Sequence, residues 1–137
     1  MLQASEHETV MPLRTDLDVL KVRKYGKELA AALHFSNSER TIIATAISEI
    51  ARNTVLYAKS GCMHLKLIRN GARRGLLIVA EDAGPGIPDL KLAMQDGYTT
   101  SRGLGIGLPG ARRLMDEFDI VSEVGKGTVI TMKKWER

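Results

Sequence analysis

Three stretches, Glu49-Ile-Ala-Arg-Asn53, Asp82-Ala-Gly-Pro-Gly86-Ile87 and Gly103-Leu104-Gly105-Ile106-Gly107-Leu108, decide how this chain is read. None of the three is specific alone; their order and spacing are. In the first, a carboxylate and an amide stand four residues apart, which on a helix places both side chains on one face. Ala46 and Ile42 lie one and two turns earlier on that side. An apolar setting disfavours the ionised carboxylate and makes Glu49 a better base. Magnesium takes hard oxygen ligands and keeps several waters, so a single amide oxygen from Asn53 suits it.

In the second stretch, Asp82 ends an apolar run and can accept from the exocyclic amine of adenine, where guanine offers a carbonyl instead. Gly84 and Gly86 flank Pro85 and let the backbone turn sharply and approach a flat ring, with Ile87 beside them. In the third, Gly103, Gly105 and Gly107, interleaved with Leu104 and Ile106, precede a helix. Backbone N–H groups at a helix start bind phosphate. Arg102 offers a charged contact there or simply faces solvent, and Thr99, Thr100 and Ser101 have the polar character of a lid. Thr128 follows the glycines of the last hairpin; its hydroxyl either supports Asp82 or belongs to an ordinary strand residue. The combination reads as one ATP site: base, metal ligand, adenine acceptor and phosphate cradle.

Working outward, residues 10–14 read as a strand, and Thr15-Asp-Leu-Asp18 opens a helix running to about 34, with Leu17, Val19, Leu20, Val22, Leu29 and Leu33 at helical spacing. After Ser36-Asn-Ser38 a second helix runs to about 57, and Ile43, Ile47, Ile50 and Thr54 mark its core face. Residues 62–69 alternate Met63, Leu65 and Leu67 against His64 and Lys66, a strand with one buried face. Residues 70–75 read as a loop, 76–80 as an apolar strand, 89–95 as a short helix and 110–118 as the third main helix, with Pro109 in its first turn. Strands at 120–124 and 128–134 close the chain around Gly125-Lys-Gly127. Met94, Met115 and Met132 read as packing residues; Trp135 either closes the core or marks a contact surface.

This order gives an α/β sandwich: a mixed, mostly antiparallel sheet with helices on one face and the other face at least partly open. It is not the alternation of a doubly wound fold. Gly105-Ile-Gly107-Leu-Pro-Gly110 matches the dinucleotide fingerprint but follows Thr99-Thr-Ser-Arg102 rather than a strand, so that match is spurious. The H-R-D and D-F-G triplets of eukaryotic-type kinases are absent.

With 137 residues, 44% of them hydrophobic and 26% charged, residues 1–137 are expected to form one domain. No apolar run reaches the ~20 residues that cross a bilayer, and the first residues lack an apolar signal core, so no membrane role and a cytoplasmic setting are expected. Cys62 is the only cysteine, which excludes an internal disulfide. The net charge of +4 is spread over isolated residues and short pairs, and aromatics make up only 4%, which argues against nucleic acid as a partner. His7, His34 and His64 show no metal-ligand spacing in the sequence, among themselves or with Cys62.

At these residues the chain resembles the Bergerat-fold (GHKL) ATPases, the superfamily of gyrase, Hsp90, histidine kinases and MutL. Glu49–Asn53 is similar to the N box of that superfamily, and the two glycine stretches are similar to its glycine boxes. Ala46-Ile-Ser-Glu49-Ile-Ala-Arg-Asn53, Glu81-Asp-Ala-Gly-Pro-Gly-Ile-Pro-Asp89 and Gly107-Leu-Pro-Gly-Ala-Arg-Arg-Leu-Met-Asp-Glu-Phe118 resemble the bacterial serine/threonine switch kinases that regulate sigma factors, the stressosome branch above all. The sibling anti-sigma kinases usually carry Thr-Asn-Ala after the glutamate, where this chain has Arg52-Asn53-Thr54.

The resemblance implies ATP with Mg2+ on Asn53 and Glu49 as base toward a serine or threonine of a STAS-domain protein. It also implies a second partnership with the N-terminal domain of a PP2C-type phosphatase. Two other readings remain beside it: an anti-sigma factor that sequesters a sigma factor, and a nucleotide-gated binding module without transfer activity.

Overall fold

The computed structural model describes residues 8–95 and 107–137. The elements follow one another as β1 (Glu8–Leu13), α1 (Asp16–Ala32), α2 (Asn37–Tyr57), β2 (Gly61–Asn70), β3 (Arg73–Asp82), α3 (Leu90–Ala93), α4 (Gly107–Leu114), β4 (Glu117–Glu123) and β5 (Gly127–Trp135). The strands form one sheet in the order β1-β2-β3-β5-β4. A mixed, mostly antiparallel sheet was expected; all four pairings are antiparallel. Among the described residues no helix is long and apolar enough to cross a membrane.

Local chemistry sets the helix starts. Thr15 caps α1 by accepting from the Asp18 N–H, and Asp18 in turn accepts from the Arg14 N–H at 2.9 Å. Ser36 and Glu39 form a full capping box at the start of α2. Ile43, Ile47 and Ile50 of α2 are wholly buried, with Thr54 nearly so, as their spacing predicts. They meet Met63, Leu65 and Leu67 of β2 and Leu76, Ile78 and Ala80 of β3 on one face of the sheet. Val19 and Val22 of α1 and Leu33 at its C-cap join this core, whereas Leu17 and Leu20 of the helix face solvent at 59% and 62% exposure. Gly26 lets the two helices close together, since a Cβ there would lie 2.2 Å from Ile47 Cδ1.

Several boundaries differ from the sequence reading. The expected loop at 70–75 is a two-residue turn, Gly71-Ala72, because β3 begins at Arg73 and pairs from Asn70↔Arg73 onward. The third main helix starts at Gly107 and ends at Leu114, and Glu117 and Phe118 belong to β4. Trp135 is buried but lies outside the main core cluster: a Cβ on Gly75 would sit 2.6 Å from its ring, Arg73 stacks over it at 5.1 Å, and its indole N–H donates to Glu117.

Glu136 fastens the end of the chain. Its carboxylate accepts two bonds from Arg74 and one from the His34 N–H, while its own N–H donates to the Arg74 carbonyl. Burial pushes its carboxyl up, but the His34 N–H and the Arg74 guanidinium offset this, and the net direction is below the ordinary glutamate value. A lowered native pKa means stability that is full above the unfolded value of about 4.3 and is lost as pH falls through the native one. Glu136→Gln is therefore expected to flatten the loss of stability below about pH 4.5, read as denaturation midpoints against pH. An unchanged acid slope would remove Glu136 from the balance.

Candidate active site

A cavity of about 360 Å³ opens between the C-terminal half of α2, the end of β3, the glycine turn that follows it and the start of α4. That volume lies in the range of small-molecule sites. Glu49, Asn53, Asp82, Ile87, Gly107 and Thr128 all line it, with Gly86 between them. Residues separated by up to 79 positions are thus gathered around one space.

Glu49 is buried at 8% exposure, on the inward side of α2. Its surroundings are not the apolar ones expected. Oε1 accepts from the Gly107 N–H at 2.7 Å, and Oε2 accepts from Arg52 one turn along the same helix. The carboxylate is thus tied to the first residue of α4, and Gly107's own N–H serves Glu49 here. A carboxylate has about four lone-pair positions, so two bonds leave acceptor capacity toward the cavity. Asn53, one further turn along, faces the same space, and its amide makes no hydrogen bond among the described residues.

Asp82 is the last residue of β3. Its Oδ1 accepts from the Gly84 N–H at 2.9 Å, which folds the glycine turn back over the strand end and leaves Oδ2 for a ligand. Gly86 has φ +77°, and a Cβ there would lie 2.4 Å from the Glu123 carbonyl oxygen. Both the left-handed backbone and the close approach require glycine. Gly86→Ala is expected to cost about 1–3 kcal/mol, seen as a Tm several degrees lower. An unchanged Tm would mean that the turn has another conformation.

Thr128 is the cross-strand partner of Asp82, but its hydroxyl bonds Ser122 Oγ at 2.8 Å rather than Asp82. Ser122 also accepts from the Ile87 N–H at 2.7 Å. The turn is further held by the Gly125 N–H donating to the Pro85 carbonyl. Ser122 and Arg52 are supporting residues the sequence reading missed. Arg52 stood one turn from Glu49 and was legible as a possible partner; Ser122 carries no motif and emerges only from strand register. Arg102, Gly103, Leu104, Gly105 and Ile106, with the polar residues 99–101, lie outside the described residues.

The donor set fits an adenine nucleotide with its metal. An acceptor stands at the strand end, an uncommitted amide lies one turn beyond a buried carboxylate, and the cavity walls include Ile87, Leu108 and Ile130.

Comparison with known proteins points to an ATPase domain. Residues 11–134 match the family of histidine kinase-like ATPase domains. The serine/threonine-protein kinase RsbT of Bacillus subtilis is 45% identical over 130 residues, covering 95% of this chain and 98% of that one. An anti-sigma F factor of Clostridium kluyveri is 34% identical over 102 residues, 70% of each chain. Among solved structures, the RsbU and RsbW domains of Rv1364c from Mycobacterium tuberculosis superpose with a TM-score of 0.63 at 19% identity, over 96% of this chain and 33% of that one, a likeness of fold. The chain belongs to the histidine kinase-like ATPase (GHKL) family, alongside the serine/threonine-protein kinase RsbT and the anti-sigma F factors.

Proposed function

We propose that this protein is an ATP-dependent serine/threonine protein kinase of a partner-switching pathway that governs a sigma factor. Its substrates are STAS-domain proteins of a stressosome in the cytoplasm. Phosphorylation of the scaffold releases the kinase to activate a PP2C-type phosphatase through that enzyme's N-terminal domain. The observation that carries the reading is the convergence of Glu49, Asn53 and Asp82 on one cavity, in a chain 45% identical to RsbT along nearly its whole length.

In this account Asp82 and the glycine turn select and seat adenine, with Ile87 against the ring. Asn53 holds Mg2+, which neutralises charge on the phosphates. The phosphate tail is assigned to the glycine stretch 102–107, on sequence grounds. Glu49 takes the proton from the acceptor hydroxyl as that oxygen attacks the γ-phosphorus in line, and the bond to the β-phosphate oxygen breaks, leaving ADP. Such transfer rests on positioning and charge neutralisation. The anchoring of Glu49 by Arg52 and Gly107 supplies that positioning.

Affinity capture separates this from the anti-sigma reading. The ATP-loaded protein is expected to retain a STAS protein and the phosphatase N-terminal domain. Retention of a sigma factor alone would replace the kinase account with sequestration.

A further inference from the structure

On the sheet face turned away from the ATP cavity, Cys62, His64 and Glu81 converge. Cys62 and His64 are two apart on β2 and share a face, and Cys62 is the register partner of Glu81 on β3. Cys62 Sγ lies 3.5 Å from His64 Nε2 and 3.4 Å from Glu81 Oε1, and the last two atoms are 3.0 Å apart. These three form a group that can offer one ligand atom each to a single ion. Glu81 directly precedes Asp82, but alternation along the strand puts the two on opposite faces, so the group is separate from the nucleotide site.

The dimensions match a particular ion. Zinc binds sulfur at about 2.3 Å and imidazole nitrogen or carboxylate oxygen at about 2.0–2.2 Å, so a tetrahedral site has ligand-to-ligand edges of roughly 3.3–3.6 Å. The observed triangle needs only a few tenths of an ångström of adjustment. A second carboxylate completes the pattern: Glu8 Oε2 on β1 lies 3.4 Å from His64 Nδ1. A carboxylate on the far ring nitrogen is the usual support of a metal-binding histidine, fixing the tautomer that leaves Nε2 free to ligate.

We propose that Cys62, His64 and Glu81 form a zinc site with three protein ligands, oriented by Glu8 and completed by water from the open face of the sheet. Cys62 binds as the thiolate, the form of cysteine that ligates metals. Binding forms Zn–S, Zn–N and Zn–O bonds and releases the thiol proton to solvent, with no change of oxidation state.

The test is titration of the nucleotide-free, full-length protein with Zn2+ under chelator competition, together with the absorption spectrum of the Co2+-loaded protein. Saturable 1:1 binding is expected, with a thiolate-to-cobalt charge-transfer band that Cys62→Ser abolishes. His64→Gln and Glu81→Gln should weaken Zn2+ binding by more than the ~10–100-fold expected for loss of the supporting carboxylate in Glu8→Gln. Unaltered ATP binding by the variants checks that they are folded, and the three ligand positions are tested singly. Absence of saturable binding, 1:1 binding that survives all three ligand substitutions, or a cobalt spectrum without the thiolate band would each overturn the site.

Discussion

Glu49→Gln is expected to abolish most phosphoryl transfer while leaving ATP binding nearly intact. The amide is close in shape, and its oxygen can still accept from the Gly107 N–H or from Arg52. It cannot take a proton from an incoming hydroxyl. Loss of a general base costs on the order of 10²–10⁴ in rate. The same substitution leaves Arg52 facing a neutral amide, so a modest loss of stability should accompany the loss of rate. Single-turnover kinetics beside calorimetric ATP binding separates the two effects. Weak ATP binding with normal single-turnover transfer would assign Glu49 to nucleotide retention instead.

Asp82→Asn is expected to act the other way, on affinity. A hydrogen bond to a charged group is worth about 1.5–3 kcal/mol, or roughly 10- to 150-fold in Kd. Asparagine can preserve the bond to the Gly84 N–H through its oxygen, so the turn should persist. What then faces the adenine amine is another donor. The variant should therefore lose ATP affinity with its fold and Tm largely kept, and the discrimination against guanine nucleotides should shrink with it. Unchanged affinity would take Asp82 out of the site.

The parts legible in the sequence are those fixed by neighbours along the chain. The polar break Ser36-Asn-Ser38 and the spacing of Ile43, Ile47 and Ile50 define α2 within a few residues. The alternation in β2 shows directly which face is buried. The sequence placed Glu49, Asn53 and Asp82 at one site because each motif carries its own geometry, and the fold brings them to one cavity.

What was not legible depends on distant partners. Arg73, Arg74 and Gly75 look like loop residues, yet they extend β3, because Glu136 grips Arg74 from 62 positions away and Trp135 covers Gly75. The glycine-rich start of α4 is fixed by Glu49, 58 residues earlier, so local signals placed its beginning three residues late. Leu17 and Leu20 have the spacing of core residues and lie in solvent, since periodicity identifies a stripe but not what covers it. Cys62, His64 and Glu81 meet only through the register of β2 and β3, which spacing along the chain cannot reveal.

The central claim, a kinase whose base is Glu49, is tested most directly by γ-labelled ATP with Mg2+, this protein and a STAS-domain protein. The account predicts label on a serine or threonine of that protein and almost none with Glu49→Gln. Label that appears equally with the variant would contradict the assigned base. No transfer by the wild-type protein despite measurable ATP binding would contradict the kinase and leave a nucleotide-gated binding module.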